Sequence, residues 1–320
     1  MRRRALCVGI DDYLVGALRG CVSDAQKIAA TLEANFDGSP NFDCRLLVAP
    51  LGNSQTRITR ASLRAAIEEL FSGTPEVAVL HFSGHGTVNN LDGFLVTQDA
   101  TKYDEGVSMS TVLQMANSSR AGEVLILLDC CFSGNLGAIP GIDNSKAILR
   151  EGVSILTASR GDQVSVEEAG GGVFTSLVTD ALRGGAADLL GSVNAASVYS
   201  YVEAALGAWD QRPLFKAHVS RLVSLRRCDP PIEPAILRKL PTLFPLPAED
   251  FRLDPSYESS SPTANPIHVA VFNELQKLCR VHLVVPIGAA HMYDAAMNSQ
   301  ACQLTPSGMY YWRLARDRRI

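Results

Sequence analysis

Five short apolar runs, separated by stretches of helical periodicity, constrain this chain more than any other feature. Residues 5–10, 45–48, 77–83, 124–129 and 153–158 are nearly unbroken and rich in Val, Ile and Leu. Such runs suit strands covered on both faces, as in a parallel sheet. Between them the spacing predicts helices over 24–34, with Ser23 as cap, and after Thr59 through Ala61, Leu63, Ile67 and Leu70. Further helices are predicted over 108–117, 174–183 and 195–206. The β-α-β-α-β order requires right-handed crossovers and helices on both faces of the sheet. Ligands of such sheets bind just beyond the carboxyl ends of the strands, which directs attention to the loops after Ser83 and Asp129.

Those loops carry reactive side chains. The third run ends in His81-Phe82-Ser83-Gly84-His85-Gly86, and the fourth in Asp129-Cys130-Cys131-Phe132-Ser133-Gly134. Forty-six residues separate His85 from Cys131, the length of one strand-helix-strand unit. Adjacent parallel strands lie about 4.8 Å apart, so their terminal loops are neighbours. An imidazole beside a thiol suits a cysteine hydrolase, the imidazole managing protons while the thiolate attacks a carbonyl. His81 and His85 do not read as a metal pair, because a strand end does not stack positions four apart and no acidic partner lies between them. The 170–172 glycines lack dinucleotide-binding spacing, and no phosphate-loop pattern occurs.

The histidine of SGHG followed after one crossover by the cysteine of DCCFSG resembles the caspase-like clan of cysteine peptidases, nearest the metacaspase and prokaryotic caspase-like branch. VGIDDYLVGALRGCVSDAQ and ILTASRGDQVSVEEAGGGVFTSLVTDAL resemble it too, so the likeness spans about residues 1–225. It implies a caspase-like α/β/α sandwich with a six-stranded, mostly parallel sheet. It also implies His85 and Cys131 as catalytic dyad, with the oxyanion held by the N–H groups of Gly86 and Cys131. Cys130 is expected to point the other way and to be structural. By the same match Asp24, Ser83 and Asp129 line the pocket for the residue before the scissile bond. Two carboxylates and a hydroxyl favour a guanidinium or ammonium and repel a carboxylate, so cleavage is expected after Arg or Lys. Relatives are often cut after the cysteine strand, which makes Lys146 and Arg150 candidate self-cleavage sites. No cofactor or metal is expected. Many relatives need calcium, but the acidic residues Asp92, Asp99, Asp104 and Glu105 are spaced unlike the family's calcium cluster and read as an ordinary solvated loop, with calcium activation as the alternative. The branch's involvement in stress and defence implies triggered, limited proteolysis.

Proline marks the main boundary. Nine of the sixteen prolines fall between Pro230 and Pro266. This predicts a peptidase domain over 1–228, an extended Pro-rich linker over 229–266 and a small, mainly helical module over 267–320. The module's helix, short strand, helix, helix order resembles a winged helix. From 229 to 320 nine basic residues balance nine acidic ones, so docking of a regulatory protein is favoured over nucleic-acid binding. The net charge of −4 also argues against a nucleic-acid binder. No apolar run reaches the length of a membrane span, and the apolar stretch behind Met1-Arg2-Arg3-Arg4 is too short for an export signal. The eight scattered cysteines form no C-x-x-C pair, so a reducing cytoplasm is expected. The alternatives are a catalytically idle caspase-like scaffold or a regulator that binds nucleic acid through its C-terminal module.

Overall fold

The computed structural model describes the chain except residues 1–2, 15, 54–55, 90–91, 131, 134–137, 140–141, 144–148, 159–166, 169–170 and 207–212. The described residues divide into two compact units, one of 1–187 with 192–229, the other of 188–191 with 230–320.

The first unit opens with β1 (Arg3–Ile10), α1 (Cys21–Glu33), β2 (Asp43–Ala49), α2 (Arg60–Phe71) and β3 (Val77–Ser83). A small antiparallel excursion follows, β4 (Gly86–Val88), β5 (Gly93–Thr101) and β6 (Asp104–Ser108), leading into α3 (Met109–Ser118). Then come β7 (Glu123–Asp129), the two-residue β8 (Phe132–Ser133), β9 (Val153–Thr157), α4 (Val173–Asp180), α5 (Ala195–Leu206) and β10 (Leu214–His218). The central sheet runs β10-β9-β7-β3-β1-β2 and is parallel except for β10, which pairs antiparallel with β9. This edge strand escaped the sequence reading because its five residues form neither a continuous apolar run nor a long alternation.

Period-two alternation sends Ala78, Leu80 and Phe82 of β3 into a core shared with α2 and α3. Val77 and Val79 enter the opposite core with α1, α4 and α5. The latter row continues as His81 and Ser83, both buried. Asp129 follows Leu125 and Leu127 on the same face of β7, and register sets it opposite Ser83. The chain leaves β1 toward β2 on one side and returns to β3 on the other, so strand order reverses between β1 and β3. That is where α/β sheets open a crevice.

Two helix starts show what local sequence can and cannot specify. Thr59 caps α2 in a reciprocal box with Ser62. The cap expected from Ser23 is not the one used. Helix α1 begins at Cys21 and takes its cap from Asp11, whose carboxylate accepts from the N–H groups of Cys21 (2.8 Å) and Val22 (3.3 Å). Gly9 permits this close approach, since a Cβ there would stand 2.3 Å from the Cys21 carbonyl oxygen.

The second unit corrects the linker reading of 229–266. From Pro230 onward it contains α6 (Pro234–Leu237), α7 (Leu240–Leu243), β11 (Phe251–Arg252), α8 (Pro266–Arg280), β12 (Val284–Ile287), α9 (Met292–Met297), β13 (Ala301–Leu304) and α10 (Pro306–Arg316). Ile232, Ile236, Leu237, Leu240, Phe244 and Leu253 of the supposed linker join Phe272, Leu275, Leu278 and Trp312 in one core. Proline does not oppose helix here because Pro234, Pro241, Pro255 and Pro266 occupy first-turn positions, where no backbone donor is needed. The three strands form an antiparallel sheet in the order β11-β13-β12, and Thr305 and Pro306 start α10 as the sequence indicates.

Candidate active site

His85 lies two residues beyond β3 and is held on three sides. Its backbone N–H donates to the Tyr13 hydroxyl (3.0 Å), which in turn donates to the Val96 carbonyl (3.2 Å). The buried Tyr13 ring packs against the imidazole, with centroids 4.6 Å apart. Burial pushes the Tyr13 phenol well above its ordinary range, so it remains a donor. The third hold is Nε2, which meets the Gly16 carbonyl. A carbonyl only accepts, so Nε2 carries the proton and Nδ1 of the neutral ring is left as the base.

Cys131 lies outside the described residues. Cys130 before it is buried in the core on the α2 and α3 side. Phe132 after it pairs with Gly86 as β8 runs parallel to β4, so the backbone flanking Cys131 adjoins the glycine that follows His85. Ser83 and Asp129 are partners in register, and the Gly84 N–H donates to the Asp129 carbonyl (3.3 Å).

Asp24, Ser83 and Asp129 come from α1, β3 and β7 and meet in one buried patch. Asp24 Oδ2 accepts from Ser83 Oγ (3.3 Å) and from the Gly172 N–H (2.9 Å). Its Oδ1 has no hydrogen-bond partner, and Lys27 Nζ stands 3.7 Å away. Burial raises the Asp24 carboxyl above the ordinary carboxylate range, opposed by the Gly172 N–H, Lys27 and Ser83. Asp129 Oδ2 accepts from the hydroxyl (2.6 Å) and the backbone N–H (3.2 Å) of Thr175 in the first turn of α4. Gly172 passes between the two carboxylates, and a Cβ on it would stand 2.4 Å from Asp129 Oδ2.

The sequence singles out His81 only as a rejected metal ligand and Gly172 only within a rejected dinucleotide loop, and it does not single out Tyr13, Gly16 or Thr175. Each acts here through contacts to residues distant in the chain. Cys21 also borders the patch, its thiol pushed up to about 12 by burial.

Of the processing candidates, Lys146 lies outside the described residues. Arg150 is anchored, its guanidinium donating to the carbonyls of Ala116 (3.2 Å) and Ala121 (2.8 Å) and its N–H to Asn117 (2.9 Å). Three of the four acidic residues considered for calcium have other partners. Asp92 accepts from Ser110 and the Gly93 N–H, Asp99 from Thr97 and the Arg60 N–H, and Asp104 pairs with the Arg60 guanidinium. Among the described residues no group of three His, Cys, Asp or Glu side chains comes together that could hold a metal ion. Among the described residues no helix is long and apolar enough to cross a membrane. A cleft of about 360 Å³, lined by Asp12, Leu14, Arg57 and Gln98, shares Tyr13 with the His85 site. Another, of about 260 Å³, lies by Arg4 and Asp43, where β1 and β2 begin.

A mostly parallel six-stranded sheet with the SGHG histidine at its switch point defines the class. The chain belongs to the caspase-domain family, whose model matches residues 2–223. It is similar to metacaspase-1A of Aspergillus oryzae, 28 % identical over 166 residues, covering 47 % of this chain and 38 % of that protein. Metacaspase-1A of Aspergillus niger is 26 % identical over 173 residues, covering 47 % and 40 %. This chain therefore spans about two fifths of the length of these curated relatives. Among solved structures it is similar to caspase-1 of Spodoptera frugiperda, with a TM-score of 0.53, 12 % identity and coverage of 71 % of this chain and 91 % of that one. It is also similar to the protein GSU0716 of Geobacter sulfurreducens, with a TM-score of 0.52, 17 % identity and coverage of 71 % and 100 %. These two likenesses concern the fold.

Proposed function

We propose that this chain is a cysteine endopeptidase that cuts proteins after Arg or Lys. The observation that carries the reading is the buried meeting of Asp24, Ser83 and Asp129 at the strand ends, with Ser83 two residues before His85. A guanidinium or ammonium entering that patch meets two carboxylates and a hydroxyl, with Asp24 Oδ1 held only by the longer ion pair to Lys27 at 3.7 Å. The side chain of an aspartate substrate would meet repulsion.

In the proposed reaction His85 Nδ1 takes the Cys131 thiol proton and the thiolate attacks the scissile carbonyl carbon. The carbonyl electrons move to oxygen, where the N–H groups of Gly86 and Cys131 hold the charge. The imidazolium then gives its proton to the departing amine, and water attacks the thioester to release the acid and free the thiol. The Gly16 carbonyl and the Tyr13 ring keep the imidazole in the tautomer and orientation this sequence needs.

Self-processing, where the enzyme performs it, falls at Lys146 rather than at the anchored Arg150. The activity belongs to a triggered stress or defence response, with the second unit as a docking module for a regulatory protein.

The test is labelling by an irreversible peptide electrophile carrying Arg at its recognition position. The wild type and Cys130→Ala are expected to label, and Cys131→Ala to stay unlabelled. Labelling lost in Cys130→Ala but kept in Cys131→Ala would reassign the nucleophile. A wild type that neither labels nor cleaves any peptide would leave the scaffold reading.

A further inference from the structure

We infer that Thr175 is a specificity-determining positioning residue, whose hydroxyl, backed by His81, aims the Asp129 carboxylate at the basic side chain of the substrate. The inference rests on the reading that Asp129 receives that side chain.

Threonines inside helices commonly satisfy their hydroxyl on the carbonyl four residues earlier. Two helical threonines of this chain do so. Thr179 donates to the Thr175 carbonyl (2.7 Å) and Thr31 to the Lys27 carbonyl (2.8 Å). Thr175, in the first turn of α4 where the residue four earlier lies outside the helix, instead donates across to Asp129 Oδ2 at 2.6 Å, a short distance suited to a hydroxyl meeting a carboxylate. The backbone N–H of the same residue already supplies a first-turn donor to that oxygen, at 3.2 Å. Capping α4 therefore does not require the hydroxyl. What the hydroxyl adds is a second, differently directed hold on Oδ2, and two holds on one oxygen fix the carboxylate plane and hence where the other oxygen points.

His81 sets the direction of that hydroxyl. Its Nε2 lies 3.3 Å from Thr175 Oγ1. Because the hydroxyl proton goes to Asp129, Oγ1 is an acceptor toward His81, so Nε2 must carry the imidazole proton. The resulting order is Nε2–H of His81 to Oγ1 of Thr175, and Oγ1–H to Oδ2 of Asp129. All three residues are buried, at 1 %, 0 % and 7 % exposure, so water does not compete for these donors. His81 Nδ1 has no hydrogen-bond partner. On this face of β3, after Val77 and Val79 and before Ser83, a buried polar ring thus stands with one nitrogen unsatisfied, a cost that calls for an explanation, and its hydrogen bond to Thr175 supplies one.

The experiment compares kcat and KM of the full chain on two peptides that differ only in Arg or citrulline before the scissile bond. Citrulline keeps the shape of arginine and removes its charge. Thr175→Val keeps shape and backbone and removes the hydroxyl. It is expected to lower kcat/KM for the Arg peptide about 10- to 100-fold more than for the citrulline peptide, the loss falling mainly in KM. Thr175→Ser is expected to restore the preference, and His81→Leu to erode it in the same direction. A merely structural threonine would lower both peptides in parallel or neither, and either result with an Arg-preferring wild type overturns the inference. Failure of Thr175→Ser to restore the preference overturns it as well. Should Thr175→Val not fold, His81→Leu carries the same comparison. A wild type that does not prefer Arg over citrulline instead overturns the acidic-pocket reading beneath it.

Discussion

Asp24 keeps a carboxylate out of water with only part of its hydrogen-bonding capacity met, so burial raises its carboxyl above the ordinary range. A group raised in this way favours the folded state when protonated and burdens it when ionised. The sign follows directly. Below the unfolded pKa both states hold the proton and there is no burden, while above the folded pKa the burden is complete. Asp24→Asn keeps an oxygen for Ser83 and Gly172 and removes the charge. It is therefore expected to melt at a higher temperature than wild type at neutral pH, an advantage that shrinks as pH falls toward about 4, while Arg cleavage weakens. Melting curves of both proteins across that range check this, and an Asp24→Asn protein less stable at neutral pH would contradict it. Asp24, Ser83, Asp129 and His85 were legible in the sequence because each stands in a short motif at a strand end or in the first loop. Thr175 and Tyr13 were not, because each acts through a residue brought near only by folding, Thr175 through Asp129 and Tyr13 through His85.

At the scale of elements, the four inner parallel strands could be read from continuous apolar runs, since burial on both faces removes polar residues, while β2, at the sheet edge and partly exposed, showed only the short run 45–48. The α2 box could be read because both partners, Thr59 and Ser62, are local. The α1 cap could not, because Asp11 lies ten residues upstream of Cys21. Proline density misled for a physical reason. The ring's fixed φ suits the first turn of a helix as well as an extended linker, and the same residues permit both. Phe244 tests the corrected reading. It is fully buried, and its carbonyl accepts the Trp312 indole N–H at 2.7 Å. Phe244→Ala is expected to destabilise the second unit by about 3–5 kcal/mol, seen as an earlier unfolding transition in urea. A transition unmoved by this change would return 229–266 to the status of a linker.

For the whole molecule, fold and chemistry converge on the place where strand order reverses. The loops after β3 and β7 bear His85 and Cys131, and the start of α1 brings Asp24 to the same strand ends. Gly172, just before α4, and Thr175 in its first turn then meet the two carboxylates. The caspase-domain family accounts for the first unit, while nothing in the family match extends to residues 230–320. In the proposed reaction an acidic pocket selects a basic side chain for attack by Cys131. The most direct measurement is a peptide-library cleavage profile of the full chain beside Asp129→Asn. Cleavage after Arg and Lys is expected in the wild type. Because Asp129→Asn removes one member of a buried charge pair, kcat/KM for those peptides is expected to fall about 30- to 4,000-fold, without gain of cleavage after Asp. A wild type that prefers Asp, or an Asp129→Asn enzyme that cuts after Arg at the wild-type rate, would contradict it.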